Sequence, residues 1–340
     1  MTKLRTVHLL DDLSFGGVTR GLAVFAEPEL AAVMTGQVVE IDPAQRIAPR
    51  FDADLILMHF TPRWNALPFL ASLRLRNPGA RIVHVEHSYT RAWTALHVPN
   101  LSRFRTMLRL WRKGCDELVA VSHGQAAWLQ DFLGLAVAPR VIEPWGGCQG
   151  CRELPLPTPR KGRPLRLAAY GRFAEQKGFD ILIAAMSLLP SQDYELDLGG
   201  FGPWDDRLRD QAAGLSNVRF FGRVGDVAAF LDACDVVVVP SRWEAFGQVV
   251  AEAKMAGRPV LVADVDGMPE QMITPDWIAD CSSPEGLAAA IARIDASDLV
   301  AVGARNRAAM ADVRRERVAA WLDLIQAKAV AVSFPQVLAA

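Results

Sequence analysis

Four prolines crowd one short stretch near the middle of this chain, Pro155, Pro157, Pro159 and Pro164, among Arg, Lys and Gly. Proline fixes φ and lacks an amide donor, so no helix or central strand runs through 153–164 and the chain must fold in two parts around it. On each side, short apolar runs alternate with helix-period segments. Before the break, 6–10, 55–59, 81–86 and 118–121 read as strands, and 18–27, 67–76, 101–113 and 124–132 as helices. After it, strands are expected at 165–170, 194–198, 218–221, 236–239 and 259–263, separated by helical patterns such as 181–189. Such alternation predicts βαβ units around parallel sheets, one doubly wound α/β domain in each half.

A chain of 340 residues that is 51% hydrophobic and 22% charged can fill two such cores. Its formal charge of −1 argues against a nucleic-acid partner. No apolar run is long enough to span a bilayer, and Asp11 and Asp12 interrupt the first apolar run too early for a signal-peptide core, so a cytoplasmic protein is expected. Five scattered cysteines, an odd number, make no disulfide framework, and reduced thiols are the expectation. Cys148-Gln149-Gly150-Cys151 has the spacing of half a zinc site, but no second pair completes it, which favours a linker.

The densest chemistry lies in Glu244-Ala245-Phe246-Gly247-Gln248-Val249-Val250-Ala251-Glu252. The run 235–241 before it reads as a buried strand ending in a loop, and 248–256 as a helix stopped by Gly257. A ligand would sit at the carboxyl end of a strand and over a helix N-terminus, where the amides of Phe246, Gly247, Gln248 and Val249 favour a diphosphate. Gly247 lets the backbone approach closely. Glu252 lies roughly 7.5 Å further along the helix axis, which suits a ribose, and Glu244 precedes the turn, where it can face a sugar.

Other segments carry matching features. Arg172 and Lys177 follow a strand end beside Gly171 and Gly178, spaced so that both cations can face one diphosphate. Ser14-Phe15-Gly16-Gly17-Val18 follows the first strand, and its amides could approach a phosphate from the other half; a tight turn with positive φ is the alternative. His84 and Glu86 alternate onto one face of a strand, His87 lies just past its end, and His59 closes another strand. Trp243 precedes Glu244 and can wall a pocket or pack as an ordinary aromatic.

These motifs, with Gly200-Phe201-Gly202-Pro203, Asn217-Val218-Arg219-Phe220-Phe221-Gly222, Gly257-Arg258-Pro259-Val260 and Gly267-Met268-Pro269-Glu270, resemble the retaining glycosyltransferases of family 4, which are marked by a Glu, seven residues and a second Glu. The resemblance is strongest over 166–271. It implies the GT-B fold: two Rossmann-like domains facing a central cleft, with a C-terminal helix crossing back to the first. The implied division is 1–152 for the acceptor, 153–164 as linker, 165–312 for the nucleotide sugar and 313–340 as crossover helix and tail.

By the same resemblance Arg172 and Lys177 stabilise the departing nucleoside diphosphate, Glu244 orients the sugar, and His87 contacts it. Gly16, Gly17, Gly171, Gly200, Val224, Phe246, Gly247, Gln248, Val249 and Glu252 line the donor site. The expected donor is a uridine or guanosine diphosphate sugar, and the resemblance implies transfer of the hexose with retained configuration to a saccharide or lipid-linked saccharide, in polysaccharide or glycolipid synthesis. No cofactor or metal is implied, and Asp264-Val265-Asp266 reads as part of a loop beside the sugar rather than as a metal-holding Asp-x-Asp.

Two stretches depart from the family pattern, 273–279 after Glu270 and Glu143-Pro144-Trp145-Gly146-Gly147, and they bear on sugar specificity and the hinge. The segment 101–113 pairs an apolar stripe of Phe104, Met107, Leu108 and Trp111 with five basic residues; it is either a surface helix with its stripe in the core or a helix lying on the inner face of an anionic membrane. A GT-B epimerase or phosphorylase, and a sugar-nucleotide binding protein without turnover, are the rival readings.

Overall fold

The structure, a computed structural model, describes residues 3–327 apart from 15, 149, 160, 161 and 296. Phe15 of the Gly-rich loop and the tail 328–340 therefore lie outside the described residues. The first half holds β1 (Leu4–Leu10), α1 (Gly17–Gly21), α2 (Pro28–Val33), β2 (Met34–Glu40), β3 (Leu55–Met58), α3 (Leu67–Arg76), β4 (Arg81–Glu86), α4 (Arg91–His97), α5 (Leu101–Gly114), β5 (Glu117–Ala120), α6 (His123–Leu133) and β6 (Arg140–Val141). The second holds β7 (Leu165–Arg172), α7 (Phe179–Leu188), β8 (Tyr194–Phe201), α8 (Asp205–Gln211), β9 (Val218–Gly222), α9 (Val227–Asp232), β10 (Val236–Val239), α10 (Gln248–Met255), β11 (Val260–Ala263), β12 (Ile278–Ala279), α11 (Pro284–Ile294), α12 (Leu299–Ala309) and α13 (Val313–Gln326).

Each half builds one six-stranded sheet, ordered β2-β1-β3-β4-β5-β6 and β12-β11-β10-β7-β8-β9. Every pairing in both is parallel. Central strands of such sheets are covered on both faces, which is why β3, β10 and β11 are continuous apolar runs with no exposed residue. Burying each valine of β10 is worth about 2 kcal/mol.

The chain order reverses beside β1 in the first sheet and beside β7 in the second, so the loops after these strands open toward the region where ligands enter doubly wound sheets. The two domains with a helix crossing back are thus as the resemblance implies. α13 belongs to the second half in sequence but packs on the first: Val318, Trp321 and Leu324 join Val24, Leu30, Leu55, Leu57, Val83 and Val85 in one core. Arg314 binds Glu27 and Glu29, and Arg317 binds Glu143, fixing the helix at its start.

Two expectations need correction. Cys148 and Cys151 are joined by a disulfide, with Cα atoms 5.4 Å apart, rather than standing as reduced thiols. Gly150 in the left-handed region at φ 78° turns the chain back so that the two Cβ atoms meet. Cys115, Cys234 and Cys281 are buried free thiols, and burial pushes each up to about 12. The alternative of a tight positive-φ turn also fails at Gly16 and Gly17: Gly16 is extended at φ −155° and N-caps α1, and neither glycine has positive φ.

Candidate active site

α10 follows β10 through a loop that turns on Gly247, whose φ of 88° makes it a left-handed N-cap. Five positions into the helix, Glu252 is almost fully buried, and it points at the opposite domain. Its Oε1 lies 2.5 Å from Nη1 of Arg20 on α1, and its Oε2 accepts a 2.7 Å hydrogen bond from the Tyr170 hydroxyl on β7. Burial pushes the Glu252 carboxyl above its ordinary value, with Arg20 and Tyr170 opposing the shift. Burial and the Glu252 charge push the Tyr170 phenol well up, so it stays a donor.

Glu244, before the turn, forms an ion pair with Lys177, and both side chains are largely buried, 13% and 19% exposed. The Lys177 charge also favours ionised Glu252, so the two acids and this cation share one neighbourhood. Arg172 ends β7 with its side chain exposed. Across the cleft, Asp12 is held low by the amide and hydroxyl of Ser14 and further by the Arg172 charge. Arg172 at the end of β7 and Lys177 in the loop beyond it therefore face different acids, Lys177 within its own domain and Arg172 toward the other.

The domains touch through loops at their strand ends. Gln248 donates from Nε2 to the Gly17 carbonyl at 2.8 Å, while its Oε1 is buried without a partner among the described residues. This puts the start of α10 against the Gly-rich loop, and a Cβ on Gly17 would meet nothing within 4 Å. Asp266, at φ 49°, accepts the amides of Ala92 at the start of α4 and of Glu244, at 3.0 and 3.1 Å. Glu270 accepts the amides of His123 and Gly124 at the start of α6, at 2.9 and 2.7 Å. Two carboxylates of one second-domain loop thus seat on the N-termini of two first-domain helices, where unpaired amides favour negative charge. Burial pushes Asp266 up, with those amides opposing. Gly267 allows this approach, because a Cβ there would lie 2.2 Å from the Ala245 carbonyl and 2.5 Å from Ser122 Oγ.

In the first domain, His87 Nε2 lies 3.0 Å from His59 Nδ1. His84 and Glu86 do share a face, 3.3 Å apart and fully buried. Burial pushes Glu86 up, but His84 and the amides of Tyr89 and Ser88 outweigh it and the carboxyl ends below its usual range. That pair is structural. Trp243 packs edge-on to His97 across the cleft, with centroids 4.8 Å apart.

Several expected positions also have a packing role. Gly200 on β8 lies opposite Gly171 on β7, and a Cβ on it would fall 1.9 Å from the Gly171 carbonyl, so close strand approach requires the glycine. Val224 packs beside Gly199, whose Cβ would meet it at 2.4 Å. Phe246 is buried in the core that α13 closes, and Val249 packs against the second-domain core. The apolar stripe of α5 is in the core too: Phe104, Met107, Leu108 and Trp111 are all buried. Arg20, Tyr170 and Glu270 were not anticipated as contacts, since each meets its partner only through the fold.

The family model described as glycosyl transferases, group 1, matches residues 164–296. The phosphatidyl-myo-inositol mannosyltransferase of Mycobacterium leprae is 31% identical over 286 residues, covering 81% of this chain and 70% of that protein. Its counterpart in Mycolicibacterium smegmatis is 30% identical over 253 residues, covering 71% and 63%. A glycogen synthase of Mycobacterium tuberculosis is 34% identical over 160 residues, and the chain spans 38% of its length. Among solved structures, Anabaena Alr3699/HepE in complex with UDP and glucose superposes with a TM-score of 0.74 at 17% identity, covering 96% of this chain and 100% of that one. At that identity the likeness speaks for the fold.

Proposed function

Because this chain belongs to the group 1 glycosyl transferases, we propose that it transfers a hexose-type sugar from a uridine or guanosine diphosphate sugar to a saccharide or lipid-linked saccharide, with retention of configuration and without a metal. One observation carries the reading: Glu252, Glu244 and Lys177 converge beside the start of α10, at the face that Arg20 of the first domain covers. All four groups have charged partners, so a donor would exchange for them. Its ribose takes the Glu252 carboxylate, its diphosphate takes Lys177, Arg172 and the amides at the start of α10, and Glu244, released from Lys177, holds sugar hydroxyls. Negative charge grows on the diphosphate as the anomeric bond breaks, and fixed cations already in place stabilise that state more than the ground state. Seating of Asp266 and Glu270 on the first domain excludes water from the cleft.

In this reading 1–152 binds acceptor, 153–164 links, 165–312 binds donor, and 313–340 carries the crossover helix and tail. Gly16 and Gly17 face the phosphates, Gly171 and Gly200 shape the strand ends beneath them, and His87 contacts the sugar. Among the described residues no helix is long and apolar enough to cross a membrane. We place the protein in the cytoplasm, at the inner face of the membrane where the acceptor is lipid-linked; contact there would run through the basic side chains of α5 with Leu101 and Leu110, the stripe being occupied.

A thermal-shift screen of uridine and guanosine diphosphate sugars, followed by nucleoside diphosphate release with and without saccharide acceptors, tests this. One donor should stabilise the protein, acceptor should raise release, a chelator should leave the rate unchanged, and NMR of the product should show the donor's anomeric configuration. Release that ignores every acceptor, or that yields an epimer, overturns it.

A further inference from the structure

Three imidazoles cross the first sheet on a diagonal. His8 lies in β1 opposite Leu57 of β3, and His59 is two residues beyond, on the same face. Met58 pairs with His84 of β4, which brings His59 level with Val85, and His87 is again two residues beyond on that face. The rings form one hydrogen-bonded chain, His8 Nδ1 to His59 Nε2 at 3.2 Å and His59 Nδ1 to His87 Nε2 at 3.0 Å. Adjacent rings are nearly parallel, with interplanar angles of 17° and 28°. Phe25 closes the inner end, its centroid 4.4 Å from that of His8, while His87 at the outer end is half-buried.

Burial drives all three rings toward the neutral form, His8 and His87 down to about 4 and His59 well below its ordinary value. His84 and Glu86, whose charges act on these rings, bind each other. A neutral imidazole has one N–H and one bare nitrogen. Both links join an Nδ1 to an Nε2, so each is satisfied only when the two rings carry their proton on the same kind of nitrogen. Unlike tautomers would set N–H against N–H, or lone pair against lone pair. Two arrangements remain, all three rings protonated on Nδ1 or all three on Nε2. In the first His87 offers its free Nδ1 as a donor, and in the second as an acceptor.

We propose that His8 and His59 are positioning residues that tie the tautomer of His87 to their own and fix its ring orientation toward a hydroxyl of the transferred sugar. The sugar contact rests on the function proposed above; the tautomer lock rests on the geometry of the three rings. His8 thereby acts on the reaction from inside the sheet.

Long-range 1H–15N correlation of the imidazoles, on the full chain without ligand at neutral pH, tests the lock directly. The expected result is three neutral rings of one tautomer. Mixed tautomers among the three, or a charged ring, overturn the proposal. His8→Phe removes the inner link: the tautomer balance of His87 should shift from that of the wild type, and kcat should fall roughly tenfold with donor KM changed less than about twofold. His8→Gln, whose amide can donate or accept, should restore both. A folded His8→Phe protein with an unaltered His87 spectrum and wild-type kcat refutes the role. If no sugar nucleotide supports turnover, the transferase reading fails, while the spectra of the wild-type protein still decide on the lock.

Discussion

Arg20 and Glu252, 232 positions apart in the chain, form a 2.5 Å ion pair across the cleft. The helical position of Glu252 suits a ribose ligand, and the fold adds that a first-domain cation already occupies it. Under the proposed function, donor binding is an exchange of partners on a buried carboxylate.

Glu252→Gln keeps the shape and a hydrogen bond to Tyr170 but removes the charge. Donor affinity measured by calorimetry should weaken about tenfold, near 1.4 kcal/mol. Unchanged affinity would remove the ribose assignment.

Lys177→Ala deletes the cation paired with Glu244. Turnover at saturating donor should drop on the order of 100-fold, the scale of losing one group that stabilises developing charge. A wild-type rate would take Lys177 out of the mechanism.

Gly267→Ala should loosen the contact between domains. Its Cβ would press on the Ala245 carbonyl at 2.2 Å and on Ser122 Cβ at 2.6 Å, an overpacking cost of about 1–3 kcal/mol. Gly79→Ala, with nothing within 4 Å, is the control and should stay within about 0.5 kcal/mol of wild type. Urea denaturation separates them, and equal midpoints would mean that the loop holding Asp266 and Glu270 is not tightly seated.

Acidification should destabilise the first domain. His8 has a folded pKa of about 4 against an ordinary 6.5. The unfolded chain therefore binds more protons between these values, and stability falls as pH drops through that window. For His8 the loss approaches about 3 kcal/mol at pH 4. Melting temperatures from pH 7 to pH 4 should fall less steeply in His8→Phe than in wild type; parallel slopes would show that His8 does not contribute.

Most of the fold could be read from the sequence because parallel strands buried on both faces announce themselves as apolar runs. Val236 to Val239 was located to the residue, and the helix opening at Gln248 to within one position of its end. β2 was missed because it is an edge strand whose residues are mostly exposed and which includes Gly36 and Gln37. The second-domain part of the site was legible as spacing within one strand-loop-helix unit. Arg20, Tyr170 and the seats of Asp266 and Glu270 were not, since their partners lie 82 to 232 positions away and no local pattern encodes the meeting. The disulfide escaped for a related reason: an odd cysteine count says nothing about one tight turn.

The docking of α13 also has a consequence during synthesis. The apolar face formed by Leu57, Val83 and Val85 is made early, yet Val318, Trp321 and Leu324, which cover it, are translated only after the whole second sheet. For a delay of roughly 10–30 s at ordinary elongation rates, the nascent first domain carries a bare hydrophobic surface. Chaperone occupancy on stalled ribosomes should peak in that interval, and a truncation before α13 should aggregate.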